Sequence, residues 1–417
     1  MGFSLNVKMP ADGSVVLART LLLGVVVAML VSTSISIGFE LASYIVFAVL
    51  PEPRRRLCRA LRYPIVVGLL PLAVVTGVAA LYGPASWADS LSALAGWRRM
   101  LLLPLAAAVF DDEASKRLVL KVIVATCLAG ALASLVIVWG LSLPSWLGLG
   151  VVFRNYAVQG IIFSLAAVIC IAALLRPEAF AGDRWLGHNR LAMAAVLAVL
   201  LFDIVFVLWA RSGYLSLIVM AVVTVVLLAK GSWHTKAIAG GAVLVCLAVI
   251  LTVSTIGRGR ITQALHEIET VDQSQEGTSL GQRVIMWRNT LRMIGDHPIF
   301  GVGTGGFQDG YRPYIQGVPG WQGFESGDPH NQFLKTLGEQ GVIGFAALLF
   351  FIFRALTCPA PTPYRQLAVA AVIGWCATSL ANSHFSTFVE GRLLFFWLGA
   401  MLADRSMLNG TESSGRV

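Results

Sequence analysis

Apolar runs of about 20 residues, separated by short joints, constrain this chain more than any other feature. A helix needs about 20 apolar residues to cross the hydrocarbon core of a bilayer. Runs of that kind lie near 14–35, 37–51, 63–83, 91–110, 118–140, 156–175, 191–210, 213–230, 236–256, 336–356, 366–383 and 387–404. Only 13% of the 417 residues are charged and 57% are hydrophobic, whereas a soluble domain carries about 25% charged residues. The expected fold is therefore an all-α polytopic membrane protein of about 12 transmembrane helices. Residues 1–256 form helices one to nine, 257–333 a large polar insert, 334–404 helices ten to twelve, and 405–417 a short polar tail expected to be disordered. The first run has no small-residue cleavage pattern behind it and reads as a retained span.

Charge sets the expected orientation. The net charge is +9, and in a membrane protein such an excess points first to positive-inside loops. Arg54, Arg55, Arg56, Arg59 and Arg62 lie between the second and third runs, and Arg176, Arg184 and Arg190 between the sixth and seventh. Lys230, Lys236, Arg354 and Arg365 fall on the same side, which is then cytoplasmic, as are both termini. The insert, Arg154, Arg211 and the joint holding His384 and Glu390 fall on the outer side. Long loops translocate regardless of charge, so arginines there have no topogenic reason to exist and become functional candidates. No basic run is interleaved with aromatics, so a nucleic-acid partner is not expected. The six cysteines lie in or beside apolar runs with no CxxC pair, which argues against a disulfide framework or a zinc site.

The insert is where chemistry can reside. It holds Arg258, Arg260, Arg283, Arg288, Arg292 and Arg312 with His266, His297 and His330. Leu280 to Gly295 reads as an amphipathic helix with Trp287, Leu291 and Ile294 as its apolar stripe. On that helix Arg288 and Arg292 face water or headgroups, while Arg283 points toward a site. The run GVGTGGF (Gly301 to Phe307) lacks the Gly-Lys-Ser/Thr ending of a nucleotide loop and reads as a tight connection, with a backbone-amide anion nest as the alternative. DPHN (Asp328 to Asn331) closes the insert where the chain re-enters the membrane. Pro329 fixes the backbone before His330, Asp328 brings an acidic group close, and a neutral imidazole there can take a proton from a hydroxyl. Arg211, in WARSGYLS beside Trp209, reads either as a snorkelling interfacial arginine or as a rigid guanidinium for phosphate. Gly213 is expected to serve a tight hairpin. His384, Glu390 and Arg392 are secondary candidates with structural roles favoured. No HExxH motif or carboxylate cluster appears, so no metal and no cofactor are expected.

Four motifs in order, R-S-G after an apolar run, R-x-x-x-W (Arg283 to Trp287), DHPIFGVGTGGF and DPHNQFLKTLGEQGVIGF, resemble the shared core of the O-antigen ligase and polymerase superfamily, and the WaaL-type ligases in particular. The motif-bearing match covers roughly residues 205–355. The resemblance implies a bacterial inner-membrane glycosyltransferase with a periplasmic site and a fold like the GT-C-type lipid-linked glycosyltransferases. It implies an undecaprenyl-pyrophosphate-linked glycan donor, a lipid A–core acceptor, the bilayer itself, and no nucleotide. It carries over Arg211 and Arg283 as pyrophosphate-binding residues and His330 as general base; Arg154, Asp328, Asn331, His384 and Glu390 are secondary candidates.

Other readings stay open at this level. An O-antigen polymerase or a protein O-oligosaccharyltransferase shares the histidine and arginines, and no residue decides among the three. A transporter is disfavoured because mid-run charges are few (Asp203 stands out) and no paired interrupted helices recur in two halves.

Overall fold

The computed structural model describes residues 11–139, 150–208, 210–253 and 277–406, with single positions 259, 262 and 266. Trp209, Arg258 and Arg260 lie outside the described residues. Among those described, all regular structure is helical. Helix α1 (Ala11–Val31) packs on α2 (Thr33–Val49), whose first turn is capped by Ser32. Pro51 and Pro53 then open α3 (Pro51–Ala60), which bends 94° away from α2. Proline ends a helix behind it and suits the first turn of the next. The bend turns Arg54, Arg55 and Arg59 out to an exposed face. There follow α4 (Pro64–Ala79), α5 (Trp87–Trp97), a 3₁₀ turn Arg98–Leu101, α6 (Leu102–Val109), α7 (Glu113–Trp139), α8 (Tyr156–Leu175), α9 (Arg190–Phe206), α10 (Arg211–Leu228) and α11 (Trp233–Val253). Past the insert helices α12 (Ser279–Asp296) and α13 (Phe307–Tyr311), the chain runs through α14 (Gln332–Thr357), α15 (Tyr364–Thr378) and α16 (Phe388–Leu402).

Each apolar run expected from sequence falls on helix. Six of these helices (α1, α7, α8, α10, α11 and α14) are long and apolar enough to cross a membrane alone, and α2 with α3 makes up to seven. The chain thus has the make-up of a multi-pass membrane protein with six or more candidate spans. The remaining apolar helices are shorter than a full crossing; α15 and α16 have 15 residues each.

Burial sorts the helices. Every residue of α16 from Val389 to Leu402 is buried, and α8 is covered on nearly all sides. A helix apolar all round belongs in an interior, and these two form the middle of the bundle. By contrast α11 is peripheral, with only Gly240 and Leu247 buried among its described residues. Val16, Ile35, Ile45, Val74 and Val78 are each more than half exposed, and a belt of such residues suits lipid.

Three cation contacts, the Lys116 one fully buried, fix which ends lie together. Arg176 Nε donates to Leu228 O at 2.7 Å, Arg117 to Ala181 O at 3.0 Å, and the Lys116 ammonium to the last carbonyls of α16, Ala400 O at 2.7 Å and Met401 O at 3.1 Å. Cations at helix C-termini satisfy carbonyls that the helix leaves open. The C-termini of α8, α10 and α16 therefore share one end of the bundle. Their N-termini share the other, where the insert sits.

One long helix is interrupted. At Gly341 (φ +62°) α14 leaves helical geometry, which would orphan carbonyls before the break and N–H groups after it. The HPIFGVG segment supplies the missing partners. Val302 N–H donates to Gly338 O at 2.9 Å and Gly303 N–H to Glu339 O at 2.8 Å, while Val342 N–H donates to Pro298 O at 2.9 Å. Such close backbone approach needs glycine: a Cβ on Gly341 would stand 2.1 Å from Ile299 O, and one on Gly303 2.1 Å from Tyr82 O.

Candidate active site at the insert end

The DPHN segment is held from three directions. Asp328 accepts the His330 N–H at 2.7 Å through Oδ1, the Ser383 hydroxyl at 2.6 Å, and the Lys335 ammonium at 2.8 Å through Oδ2. Trp287 Nε1 donates to Pro329 O at 2.9 Å. Asn331 caps α14, accepting from Phe333 N–H at 3.0 Å and Leu334 N–H at 3.1 Å, and its Nδ2 donates to Leu380 O at 2.9 Å. Gln332 N–H donates to Ser379 O and Asn382 O at the end of α15. These contacts hold His330 at φ +50°, a left-handed conformation uncommon outside glycine. Such strain, of order 1–3 kcal/mol, persists only where surroundings over-determine it, and it concentrates at functional sites. The imidazole itself is exposed.

Asp328 therefore acts on the His330 backbone. The sequence suggested an acidic neighbour for the ring; instead both carboxylate oxygens are engaged by Lys335, Ser383 and the peptide N–H. Burial pushes the Asp328 carboxyl up, but the Lys335 charge, its hydrogen bond, Ser383 and the His330 N–H outweigh burial and hold it below its ordinary value. A carboxyl depressed on folding contributes stability that is present above its unfolded pKa of about 3.9 and lost as pH falls through its lower folded value. Asp328→Asn should lower stability near neutral pH by about 2 kcal/mol. That is less than the roughly 3–5 kcal/mol for a fully buried pair, because the Asp328 side chain keeps 30% exposure. Thermal melts of both proteins between about pH 7 and pH 3 check this: the gap should hold down to about pH 3.9 and narrow below it, and a gap constant throughout would remove the charge pair from the account.

Arg283 lies one turn before Trp287 on α12, half-buried, so the hydrogen bond from Trp287 to Pro329 brings the arginine's helix to the His330 loop. Arg288 and Arg292 are exposed, as expected. The apolar stripe is not as expected. Leu291 is 56% exposed, and the buried face is Ile285, Met286, Asn289, Thr290 and Met293. Met286 and Met293 pack with Phe307, Tyr311 and Ile315 of the insert, so the insert builds its own small core and rotates α12 toward it.

Arg211 is the first residue of α10, at the insert end, and no side chain caps that helix. Gly213 is not a hairpin residue. It lies inside α10 and meets Gly160 of α8, where a Cβ on Gly160 would stand 2.6 Å from Gly213 Cα. Two glycines let the helix backbones touch, which fixes Arg211 against the start of α8. Since α10 also packs on α15, and the residues following α15 hold Asn331 and Gln332, Arg211, Arg283 and His330 are tied to one end of the bundle.

The secondary candidates serve the frame. Arg154 (φ +50°) donates from Nε to Met29 O at 3.1 Å, bonds Thr33 Oγ1, and lies 5.0 Å over the Phe388 ring. His384 and Glu390 are buried side by side, His384 Nδ1 standing 3.4 Å from Glu390 Oε1 at an angle that makes no hydrogen bond. Arg392 donates to Glu40 at 3.0 Å, and Arg98 donates to Glu40 at 3.1 Å. Glu40 was missed in the sequence, although a carboxylate inside an apolar run signals a partner. The anion-nest alternative for GVGTGGF is overturned: the N–H groups of Gly301, Val302, Gly303, Thr304 and Gly306 all donate to protein carbonyls. Among the described residues no three His, Cys, Asp or Glu side chains gather as a metal-ligand set.

Residues 196–349 match the family model described as O-Antigen ligase (Wzy_C). That match is consistent with a member of the O-antigen ligase and polymerase superfamily. Over 86 residues it is 31% identical to an uncharacterized protein of Haemophilus influenzae, a stretch covering 20% of this chain and 22% of that protein. The chain thus spans about a fifth of the length of that curated relative. The matched region contains Arg211, Arg283 and His330, and the break at Gly341 with the segment that fills it.

Proposed function

We infer that the protein is an O-antigen ligase, moving a glycan from undecaprenyl pyrophosphate to a sugar hydroxyl of lipid A–core at the periplasmic face of the inner membrane. Its apolar helices then make about twelve crossings, with both termini cytoplasmic. The observation that carries the reading is His330: an exposed imidazole on a strained loop, hydrogen-bonded through its neighbour Pro329 to the helix that bears Arg283. In the reaction His330 takes the proton of the acceptor hydroxyl as that oxygen attacks the anomeric carbon from the face opposite the leaving group. The bond from the anomeric carbon to the pyrophosphate oxygen breaks, that oxygen keeps the electron pair, and the new glycosidic bond has inverted configuration. Charge grows on the pyrophosphate as it leaves. Arg211 and Arg283 meet it with planar forks that match phosphate oxygens. The open N-terminus of α10 adds favourable peptide dipoles behind Arg211. Fixed cations of this kind supply the electrostatic stabilisation without needing a metal.

The test is transfer by purified protein given undecaprenyl-pyrophosphate-linked glycan and lipid A–core, with EDTA and no nucleotide. Capped lipid A–core is the expected product. Lengthening of glycan on the lipid carrier without core would make the protein a polymerase, and transfer to serine or threonine of an added protein would make it an oligosaccharyltransferase. No transfer to any acceptor by folded protein would return attention to transport.

A further inference from the structure

The joint between α2 and α4 carries five arginines (Arg54, Arg55, Arg56, Arg59 and Arg62) against one carboxylate, Glu52. A bias that merely orients the chain needs charge in such a joint and nothing of its geometry. Here the joint is a built helix. α3 leaves α2 at 94° and is ten residues long, about 15 Å at helical rise. Ile45 and Val49 at the end of α2, and Val67 and Leu70 in the first turns of α4, are exposed, so the lipid-facing surface reaches both ends of the joint. A helix tethered in this way, and turned across the axis of α2, cannot leave the membrane surface. Its charges cannot enter the hydrocarbon either.

The two faces of α3 differ. Pro53 and Ala60 are buried, and Leu57 packs half-buried against the main core. Arg56 holds the helix in place, donating to Glu52 at 2.9 Å and standing 3.8 Å from Asp111. Asp111 also accepts from Arg405, just past α16, at 2.9 Å, which puts α3 at the end of the bundle opposite the insert. On the other face Arg55, Arg59 and Arg62 follow at spacings of four and three with Arg54 beside them, and all four are exposed. Among the described residues only Arg59 of these four has a carboxylate near, Glu52 at 3.7 Å, and Arg56 already shares that group. Leu61, on the flank of the stripe, is 49% exposed and continues the apolar surface of α2 and α4 along the helix.

We propose that α3 is a docking site for anionic phospholipid headgroups of the leaflet at this end of the bundle. The guanidiniums of Arg55, Arg59 and Arg62 engage phosphate oxygens with their planar forks, and Leu61 rests among the first methylenes of the acyl chains. A soluble acidic partner has no use for the apolar flank or for a helix pinned at the interface. Because α3 is already folded and held by Arg56, binding orders nothing but the arginine side chains. Each cation held near an anionic surface is worth about 5-fold in affinity, so the three-arginine stripe can separate anionic from zwitterionic lipid by about 10²-fold. The site stands apart from His330 and does not depend on the ligase reading.

Lipid-selective quenching tests this on the full chain. Cys58 lies exposed on α3 between Arg55 and Arg59 and takes a bimane label once Cys246 and Cys376 are replaced by alanine. The labelled protein, in phosphatidylcholine vesicles, is titrated with phosphatidylglycerol or phosphatidylcholine carrying a doxyl group near the head of one acyl chain. Phosphatidylglycerol should associate about 5- to 100-fold more strongly. The ratio should fall toward one as salt rises from about 0.05 M to about 1 M, which shortens the screening length several-fold. A label on Cys246 of α11, with Cys58→Ala and Cys376→Ala, should report a ratio near one. Arg55→Gln with Arg59→Gln leaves Arg54, Arg56 and Arg62 to orient the chain and should lower the Cys58 ratio about 10-fold, with size-exclusion and melting behaviour unchanged. Equal quenching by the two lipids would overturn the proposal, as would a ratio that survives high salt or the double variant. Quenching by neither lipid would overturn it too, by placing the stripe in water, where a soluble acidic partner becomes the occupant. Quenching requires no catalysis, so a protein that selects phosphatidylglycerol but transfers no glycan sinks the ligase reading alone.

Discussion

Replacing His330 by asparagine is expected to cut glycan transfer by about 10²- to 10⁴-fold, the usual contribution of a positioned general base, with almost no change in melting temperature. Asparagine is the informative replacement because it tolerates the left-handed backbone that His330 adopts at φ +50°. The interactions that shape the loop belong to Asp328, Trp287 and Asn331, and none of them uses the imidazole. His330→Ala should lose as much activity but somewhat more stability, since alanine is strained at positive φ. Single-turnover transfer with saturating donor and acceptor separates chemistry from binding. Activity of His330→Asn within a few fold of wild type would remove the imidazole from the chemical step.

What could be read from sequence divides along physical lines. Helix existence was legible because apolar length alone dictates it, and each of the twelve runs lies on helix. The match over residues 196–349 overlaps most of the motif-bearing stretch read as roughly residues 205–355. The DPHN motif and Arg211 were legible as unusual groups in unusual places. Their neighbours were not. Nothing in R-S-G says that its glycine faces Gly160 across another helix, because that contact joins positions 53 residues apart (213 minus 160). Nothing in GVGTGGF says that its amides fill the break in α14, since Gly341 lies well downstream and its positive φ is set by tertiary packing. The stripe on α12 was misjudged for a related reason. Helical periodicity finds an apolar face when the partner is a core, but the insert packs its own Phe307 and Tyr311 against Met286 and Met293, leaving Leu291 outside. Glu40 and Lys116 are buried charges whose partners, Arg392 and the end of α16, lie hundreds of residues away.

Arg211→Lys is expected to lose about 10²–10³ in rate, equivalent to about 2.7–4 kcal/mol of transition-state stabilisation, although charge is conserved. Three features of the position argue for this. Arg211 begins α10, so its Cα is fixed by the helix and by the contact of Gly213 with Gly160, and a fixed origin gives the guanidinium a defined reach. The planar fork engages two phosphate oxygens at once, whereas an ammonium engages as a point charge on a flexible stem. The charge it faces grows as the pyrophosphate departs, so the loss should fall on kcat more than on KM for the donor. Arg283→Lys should behave alike. On the proposed mechanism both arginines act on one leaving group, so the double variant should lose less than the product of the single losses, a coupling that independent sites do not show. Donor-concentration series on the two single variants and the double variant measure this directly. A rise in KM with kcat unchanged would make Arg211 a ground-state anchor for the lipid-linked donor. Strict multiplicativity would mean that the two arginines act on different parts of the reaction.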